Sequence, residues 1–348
     1  MWLALSIRNL ACFGLALAVT SLAIGARLPL PDLPDVAQKW RYFAAHKDEF
    51  DTLFLGSSRV IEQIDPALFD RELADHGVTS RTFNFGLHGL FPPEDSYVLD
   101  WILDTGPTRL RTVFVEVSMF RDKFGDQAPE TLRAAYWHDW PRTEAVRRVL
   151  FADFHFSRKK WRASLTKFSD RGGLYLTHLR LFLRKTLNIG RGSSFLPWRG
   201  PVPPTRALGP RADGFPASPD AAEMKAHERA EYERLFAAFQ EKPAVRTPLP
   251  AGAQANLDRM LARIRAAGAR PVLLLSPSVS PLVFVPRREV ASVLDFSDAA
   301  KWPALFQAEH HRDPGPLNPA GAKIYTSLIA REFLALPEEF LAPAARPR

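Results

Sequence analysis

The sequence predicts an α/β fold: three layers built on a mostly parallel, flavodoxin-like sheet. Two observations carry this. Short apolar runs such as Leu53-Phe54-Leu55 and Thr112–Val117 end abruptly in small or polar residues and read as buried strands. Stretches with helical spacing separate them, and strands alternating with helices pair in parallel and are covered on both faces. A third observation qualifies the fold. Between the third and fourth strands lie about 130 residues that the simple fold does not need, far beyond an ordinary connection, and they mark an insertion.

The first 27 residues read as a signal anchor. Leu10–Ala26 holds 17 residues without a charge, preceded by Arg8 and followed by Arg27. That length is near the lower limit of a membrane span and slightly above a cleaved signal core. The uncleaved anchor is preferred, because Pro29, Pro31 and Pro34 then stiffen a stalk over residues 28–50. Cleavage near Ser21-Leu22-Ala23 is the alternative. Either way the bulk of the chain is expected in the periplasm or outside, and the anchor places it at the inner or cytoplasmic membrane. The single cysteine, Cys12, lies within this segment, so the exported part forms no internal disulfide and no thiolate metal site.

Residues 51–120 form the first half of the sheet domain. Asp51–Leu55 is a strand, and Gly56-Ser57-Ser58 is the turn after it. Asp65 then caps a helix with Pro66 at its first position. Thr82–Phe85 is a second strand ending at Gly86, Pro92–Asp104 has helical spacing, and Thr112–Val117 is a third strand. The second half occupies 251–335: a helix over Leu257–Ala266, strands at Pro271–Leu275 and Ser292–Phe296, and a closing amphipathic helix over Ala320–Phe333. Residues 336–348 are a tail.

The insertion, 121–250, carries the charge. From Arg142 to Phe215 sixteen Lys/Arg face four carboxylates, a net of +12, so the rest of this +8 chain is at −4. Leu174, Leu176, Leu179, Leu181 and Leu183 alternate with Arg180, Arg184 and Lys185, accompanied by Trp161, Phe168 and Tyr175. A basic amphipathic helix with aromatics suits an anionic membrane surface or an acidic polymer; a solvated face over a packed helical subdomain is the plainer alternative. Nucleic acid fits poorly, because no recognisable binding motif accompanies the charge. Ala221–Gln240 reads as a separate charged helix.

The chemistry gathers at two places. A strand ending in a tight small-residue turn lifts a hydroxyl clear of the sheet, which suits Ser58 as a nucleophile; the same turn also suits a serine helix cap. Near the C-terminus stands Asp313-Pro314-Gly315-Pro316-Leu317-Asn318. A late Asp that orients a His three residues on would complete a Ser-His-Asp set, but that position is Pro316, which accepts no proton. No phosphate-binding glycine loop or metal-ligand spacing occurs, so no cofactor and no metal is implied.

These segments resemble the SGNH (GDSL-like) hydrolase superfamily, nearest to its membrane-anchored envelope branch, which includes the D-alanyl-lipoteichoic-acid biosynthesis protein and alginate O-acetyltransferases. That branch often opens on Leu-Gly-Ser-Ser-Arg, as Leu55-Gly56-Ser57-Ser58-Arg59 does here. Its last block, Asp-x-x-His-Leu-Asn-x-x-Gly-Ala, matches Asp313–Ala322 except at the His. Phe83-Asn84-Phe85-Gly86-Leu87-His88-Gly89 looks like the second block. The third-block Asn is missing; Ser118 follows the strand instead.

The resemblance implies an esterase or O-acyltransferase acting on a cell-surface carbohydrate beside a membrane acyl-donor protein. Ser58 would be the nucleophile, Asp313 the orienting acid, and the Ser58 and Gly86 amides the oxyanion hole. Arg59, Asn84 and Asn318 would contact substrate. For the missing base, His311 and His88 are the candidates. The competing expectations are a catalytically degenerate relative that binds envelope polymer or an assembly partner, and a membrane-tethered scaffold.

Overall fold

Each of the five expected strands forms, and all five lie in one parallel sheet. The computed structural model describes residues 2–26, 33–120, 131–152, 154–191, 206–216, 224–288, 291–337 and 340. In chain order its first helices and strands are α1 (Trp2–Gly25), α2 (Pro34–His46), β1 (Thr52–Gly56), α3 (Ser58–Ile61), α4 (Pro66–Ala74), β2 (Thr82–Gly86), α5 (Glu94–Asp104) and β3 (Thr112–Glu116). There follow α6 (Leu132–Tyr136), α7 (Trp140–Phe151), α8 (Trp161–Thr186) and α9 (Ala226–Glu241). The last part holds β4 (Val245–Pro248), α10 (Ala251–Ala266), β5 (Arg270–Leu275), β6 (Leu282–Val285), β7 (Ser292–Asp295) and α11 (Pro319–Leu334). The chain divides into two compact units, Met1–Ala37 with Arg121–Pro203, and Gln38–Phe120 with Pro204–Arg348.

The second unit contains the sheet, in the order β2-β1-β3-β5-β7. Every residue of β1, β2 and β3 is buried, as expected for parallel strands covered on both faces. Alternate side chains point to opposite faces. Phe54, Phe114, Val272, Leu274 and Leu294 meet Phe69 of α4 and Tyr325, Ile329 and Phe333 of α11 in one cluster. Leu53, Leu55, Val113, Val115 and Leu273 occupy the other face, where α5 packs on β1 and α10 on β5. Phe54 and Phe114 stack in adjacent strands with ring centroids 4.2 Å apart. The expected cap is present: Asp65 accepts from the Ala67 and Leu68 amides, with Pro66 opening α4. A second, two-stranded parallel sheet of β4 and β6, which the sequence did not announce, lies in the same unit.

Two expected boundaries move. The stalk is in part a helix: α2 begins at Pro34, and from Gln38 on it belongs to the sheet unit, with Lys39 and Phe43 fully buried. Pro29 and Pro31 lie outside the described residues, as does most of the expected tail. The insertion ends near Pro203, not at residue 250. In α9, Tyr232 and Phe239 are buried; Tyr232 donates to the Phe306 carbonyl, and Phe239 joins the core around α11. Residues 206–216 likewise join the sheet unit, where the Asn84 amide bonds to the Asp213 carbonyl at the β2 edge.

The first unit is helical. Ala134 and Ala135 of α6 pack with Leu181 of α8, and α7 lies against α8. His138, wholly buried, directs Nε2 at His178 Nδ1 2.8 Å away. Helix α1 is long and apolar enough to cross a membrane, and from Ser6 on its described side chains are exposed except half-buried Ala18 and buried Ser21.

Candidate functional site

The strand order reverses between β1 and β3, the kind of switch point at whose carboxyl ends doubly wound sheets hold their ligand crevice. Gly56 ends β1 and Glu116 ends β3. Ser57 and Ser58 follow Gly56 directly. A side chain at Gly56 would collide with Val60 Cγ2 at 2.4 Å and with Glu116 Cβ at 2.7 Å, so the turn into α3 needs glycine to bring these groups together.

The two serines divide their work. Ser57, buried, is the helix cap: its Oγ accepts from the Arg59 amide at 3.3 Å, and its own amide donates to Glu116 Oε2 at 2.6 Å. Ser58, half-buried, takes the first position of α3. Among the described residues no internal hydrogen bond uses its Oγ or its amide. The cap reading of this turn therefore falls on Ser57. Arg59 pairs with Glu116 at 3.7 Å, its side chain 38% exposed against 1% for the glutamate. A carboxylate this deeply buried requires such partners.

Glu62, four residues after Ser58 and bonded to its carbonyl through the backbone, joins the three motif segments. Its Oε1 lies 3.4 Å from His88 Nδ1, and its Oε2 lies 2.9 Å from Arg312 Nη2. The turn after β1, the loop after β2 and the loop before α11 thus meet at one carboxylate. Gly89, at φ +67°, gives the His88 turn a conformation that suits glycine.

The other expected residues take structural posts. Asn84 is wholly buried: its Nδ2 donates to the Val60 and Ile64 carbonyls, and its Oδ1 accepts from the Gly86 amide at 2.8 Å. This one side chain takes itself away from substrate and takes Gly86 N–H away from an oxyanion. Gly86 instead serves close packing, since a Cβ there would sit 2.3 Å from the Ile61 nitrogen. Asn318 caps α11, accepting from Ala320 and Gly321 amides and donating to the Glu309 carbonyl.

Asp313 accepts from the Gly315 amide at 2.8 Å and lies 3.7 Å from Arg312 Nε, so it braces its own loop. His311, 4% exposed, shares Nε2–H between the Leu305 carbonyl and Tyr232 Oη, each at 3.0 Å. Its Nδ1 is buried without a hydrogen-bond partner, and burial pulls its pKa down. Asp313 and His311 are thus two residues apart in sequence but do not form an acid–base pair. Ser118 lines a small cavity of about 20 Å³ beside Glu116 and Asn256, too small for a substrate.

Glu62, Glu116 and Arg312 escaped the sequence reading. Two had a signal: Glu116 is the lone charge at the end of an apolar strand, and Glu62 sits one helical turn from Ser58. Buried Lys39 had none; its Nζ donates to the carbonyls of Asn84, Gly86 and Gly214 at 2.7–2.9 Å. No protein-family model matches the chain, and no curated protein matches it.

Proposed function

We propose that the chain is a membrane-anchored serine esterase or O-acyltransferase of the SGNH-like kind, acting on carbohydrate of the cell envelope, with Ser58 as nucleophile and His88 as base. The observation that carries this is the His88–Glu62 pair, 3.4 Å, one helical turn beyond a half-buried serine at the switch point. A histidine held by a carboxylate is one half of the arrangement nucleophilic hydrolysis requires, and the reading adds that His88 reaches Ser58 Oγ. Glu62 takes the orienting role that the last block gives to an aspartate elsewhere. With Nδ1 turned to Glu62, Nε2 is the nitrogen that takes the proton.

Ser58 Oγ attacks the ester carbonyl as His88 removes its proton. The proton passes to the departing alkoxide, the ester C–O bond breaks, and an acyl-serine remains. Water, or a sugar hydroxyl in the transferase case, then attacks it with His88 again as base. The Ser58 amide is the oxyanion donor at hand. Gly86 N–H is taken by Asn84, and a hole short of that donor runs about 10²–10³-fold slower. The envelope carbohydrate and a neighbouring membrane acyl donor rest on the resemblance of Leu55–Arg59 and Asp313–Ala322.

A second reading has specific support. Pro316 stands at the usual base position, and His311 faces inward onto Leu305 and Tyr232. On that reading the crevice binds an acylated glycan without turning it over. Labelling of the full-length protein in detergent with a fluorophosphonate probe separates the two. The enzyme reading expects labelling that disappears in Ser58→Ala, falls about 10²–10⁴-fold in His88→Ala, and survives in His311→Ala. Wild-type labelling no stronger than Ser58→Ala would select the binding reading.

A further inference from the structure

We infer that α8 lies in the plane of an anionic bilayer surface, its apolar stripe in the headgroup–acyl boundary and its arginines at the rim. This rests on the reading of α1 as a membrane anchor. Trp161, Leu165, Phe168, Leu176 and Leu183 recur at spacings of three, four and seven or eight residues, which at 3.6 residues per turn fall within an arc of roughly 80°. All five are exposed, from 48% for Leu165 to 65% for Leu176. The opposite side holds the buried residues Ser164, His178 and Leu181, so α8 already has its protein partner there. Its apolar stripe is a second, uncovered face. Among the described residues, Phe168 is the one on it that stacks against other rings of this unit, at Phe151 and Phe154.

Two further observations name the occupant. The C-terminal end of α8 is tied to the C-terminal end of α1: Ser21 Oγ donates to the Thr186 carbonyl at 2.9 Å, and Asn188 Nδ2 donates to the Ser21 carbonyl at 2.6 Å and to Ser21 Oγ at 2.9 Å. Where α1 leaves a bilayer, the C-terminal end of α8 is therefore held at the surface. Charge gives the second. Helix α8 carries six Lys/Arg against one acidic residue, Asp170, too many for a span and well suited to anionic headgroups. Arg162, Arg180 and Arg184 flank the stripe, and Arg158, Lys159 and Lys160 precede it.

Full-length protein reconstituted into vesicles with and without an anionic lipid tests this. In a Cys12→Ser background, Leu165→Cys and Leu176→Cys carry an environment-sensitive fluorophore, with Thr166→Cys and Asp170→Cys, both exposed off the stripe, as controls. Native Cys12, labelled separately, reports α1. Quenching by spin-labelled lipid at 165 and 176 is expected to exceed the controls by about twofold or more, and to strengthen with anionic lipid. Equal quenching at all four sites overturns the proposal. So does protection of 165 and 176 from an aqueous quencher without lipid quenching, which would assign the face to a protein. If Cys12 is quenched and 165 and 176 are not, the anchor stands and the α8 proposal alone fails.

Discussion

Ser57 and Ser58 show how much one residue of offset decides. The sequence offers a Gly-Ser-Ser turn for either a nucleophile or a cap, and the hydrogen bonds give the cap to Ser57, while among the described residues the Ser58 hydroxyl has no internal partner. The partners that complete the site were beyond sequence reading, because Glu62–His88 and Ser57–Glu116 join residues 26 and 59 positions apart, distances no local pattern spans. Glu62→Gln tests the first pair. It keeps the shape and removes the charge that holds the imidazole, so fluorophosphonate labelling is expected to fall about 10–10²-fold while the fold persists; unchanged labelling would remove Glu62 from the site. Glu116 tests the second pair through stability. Glu116→Ala leaves the Ser57 amide buried and unmatched above a new void, an expected loss of about 2–4 kcal/mol in denaturant unfolding. Glu116→Gln still offers an oxygen to that amide and is expected to lose less than about 1.5 kcal/mol.

At the scale of elements, the central strands were legible because parallel strands are apolar on both faces; β1, β2 and β3 also stop at glycine or a charge, and begin and end within a residue of expectation. The strands β4 and β6 were not, since Val245 and Leu282 are exposed and Pro248 ends the first of them, which leaves no periodicity to read. Helix α9 misled for a related reason. Its surface is charged, and it is anchored to the sheet unit by a short aromatic row, Tyr232, Phe236 and Phe239. The contact of α3 with β2 gives a sharp prediction. Gly86→Ala drives a methyl against the Ile61 backbone, which cannot swing aside as a side chain would, and is expected to cost about 3 kcal/mol or more. Helix α4 carries a pH signature. Asp70 holds the Thr82 amide and hydroxyl, yet burial outweighs those bonds and pushes its carboxyl up to about 6. The folded state therefore favours the protonated acid: the stabilisation is full below about pH 4 and lost as pH rises through 6. Across that window the wild type is expected to lose up to about 3 kcal/mol relative to Asp70→Asn, whose side chain does not titrate. Parallel pH profiles for the two proteins would refute this.

For the whole molecule, the question is whether the N-terminal segment stays. Sequence alone left an anchor and a cleaved signal side by side, because both are short, apolar and preceded by a positive charge. The first unit supplies an argument that hydropathy lacks. Ser21 lies in the segment that cleavage near Ser21-Leu22-Ala23 would remove, and it is 6% exposed, bonded to Thr186 and Asn188 at the end of α8. A signal peptide discarded during export would have no reason to share hydrogen bonds with the mature fold. The apolar side chains of α1 are consistent with this, since Leu10, Phe13 and Leu15, each more than 60% exposed, suit a bilayer better than water. The expected outcome is that protein purified from membranes through a C-terminal tag has the intact mass of all 348 residues, 39.1 kDa before the tag, and stays in the pellet after alkaline carbonate extraction. A mass short by about the first 23 residues, with release into the supernatant, would make the segment a signal peptide. Ser21→Ala divides the cases further. With α1 retained, it removes a buried hydroxyl that joins two helices and lowers the stability of the helical unit by about 1–3 kcal/mol; with α1 discarded, it leaves the mature protein unchanged.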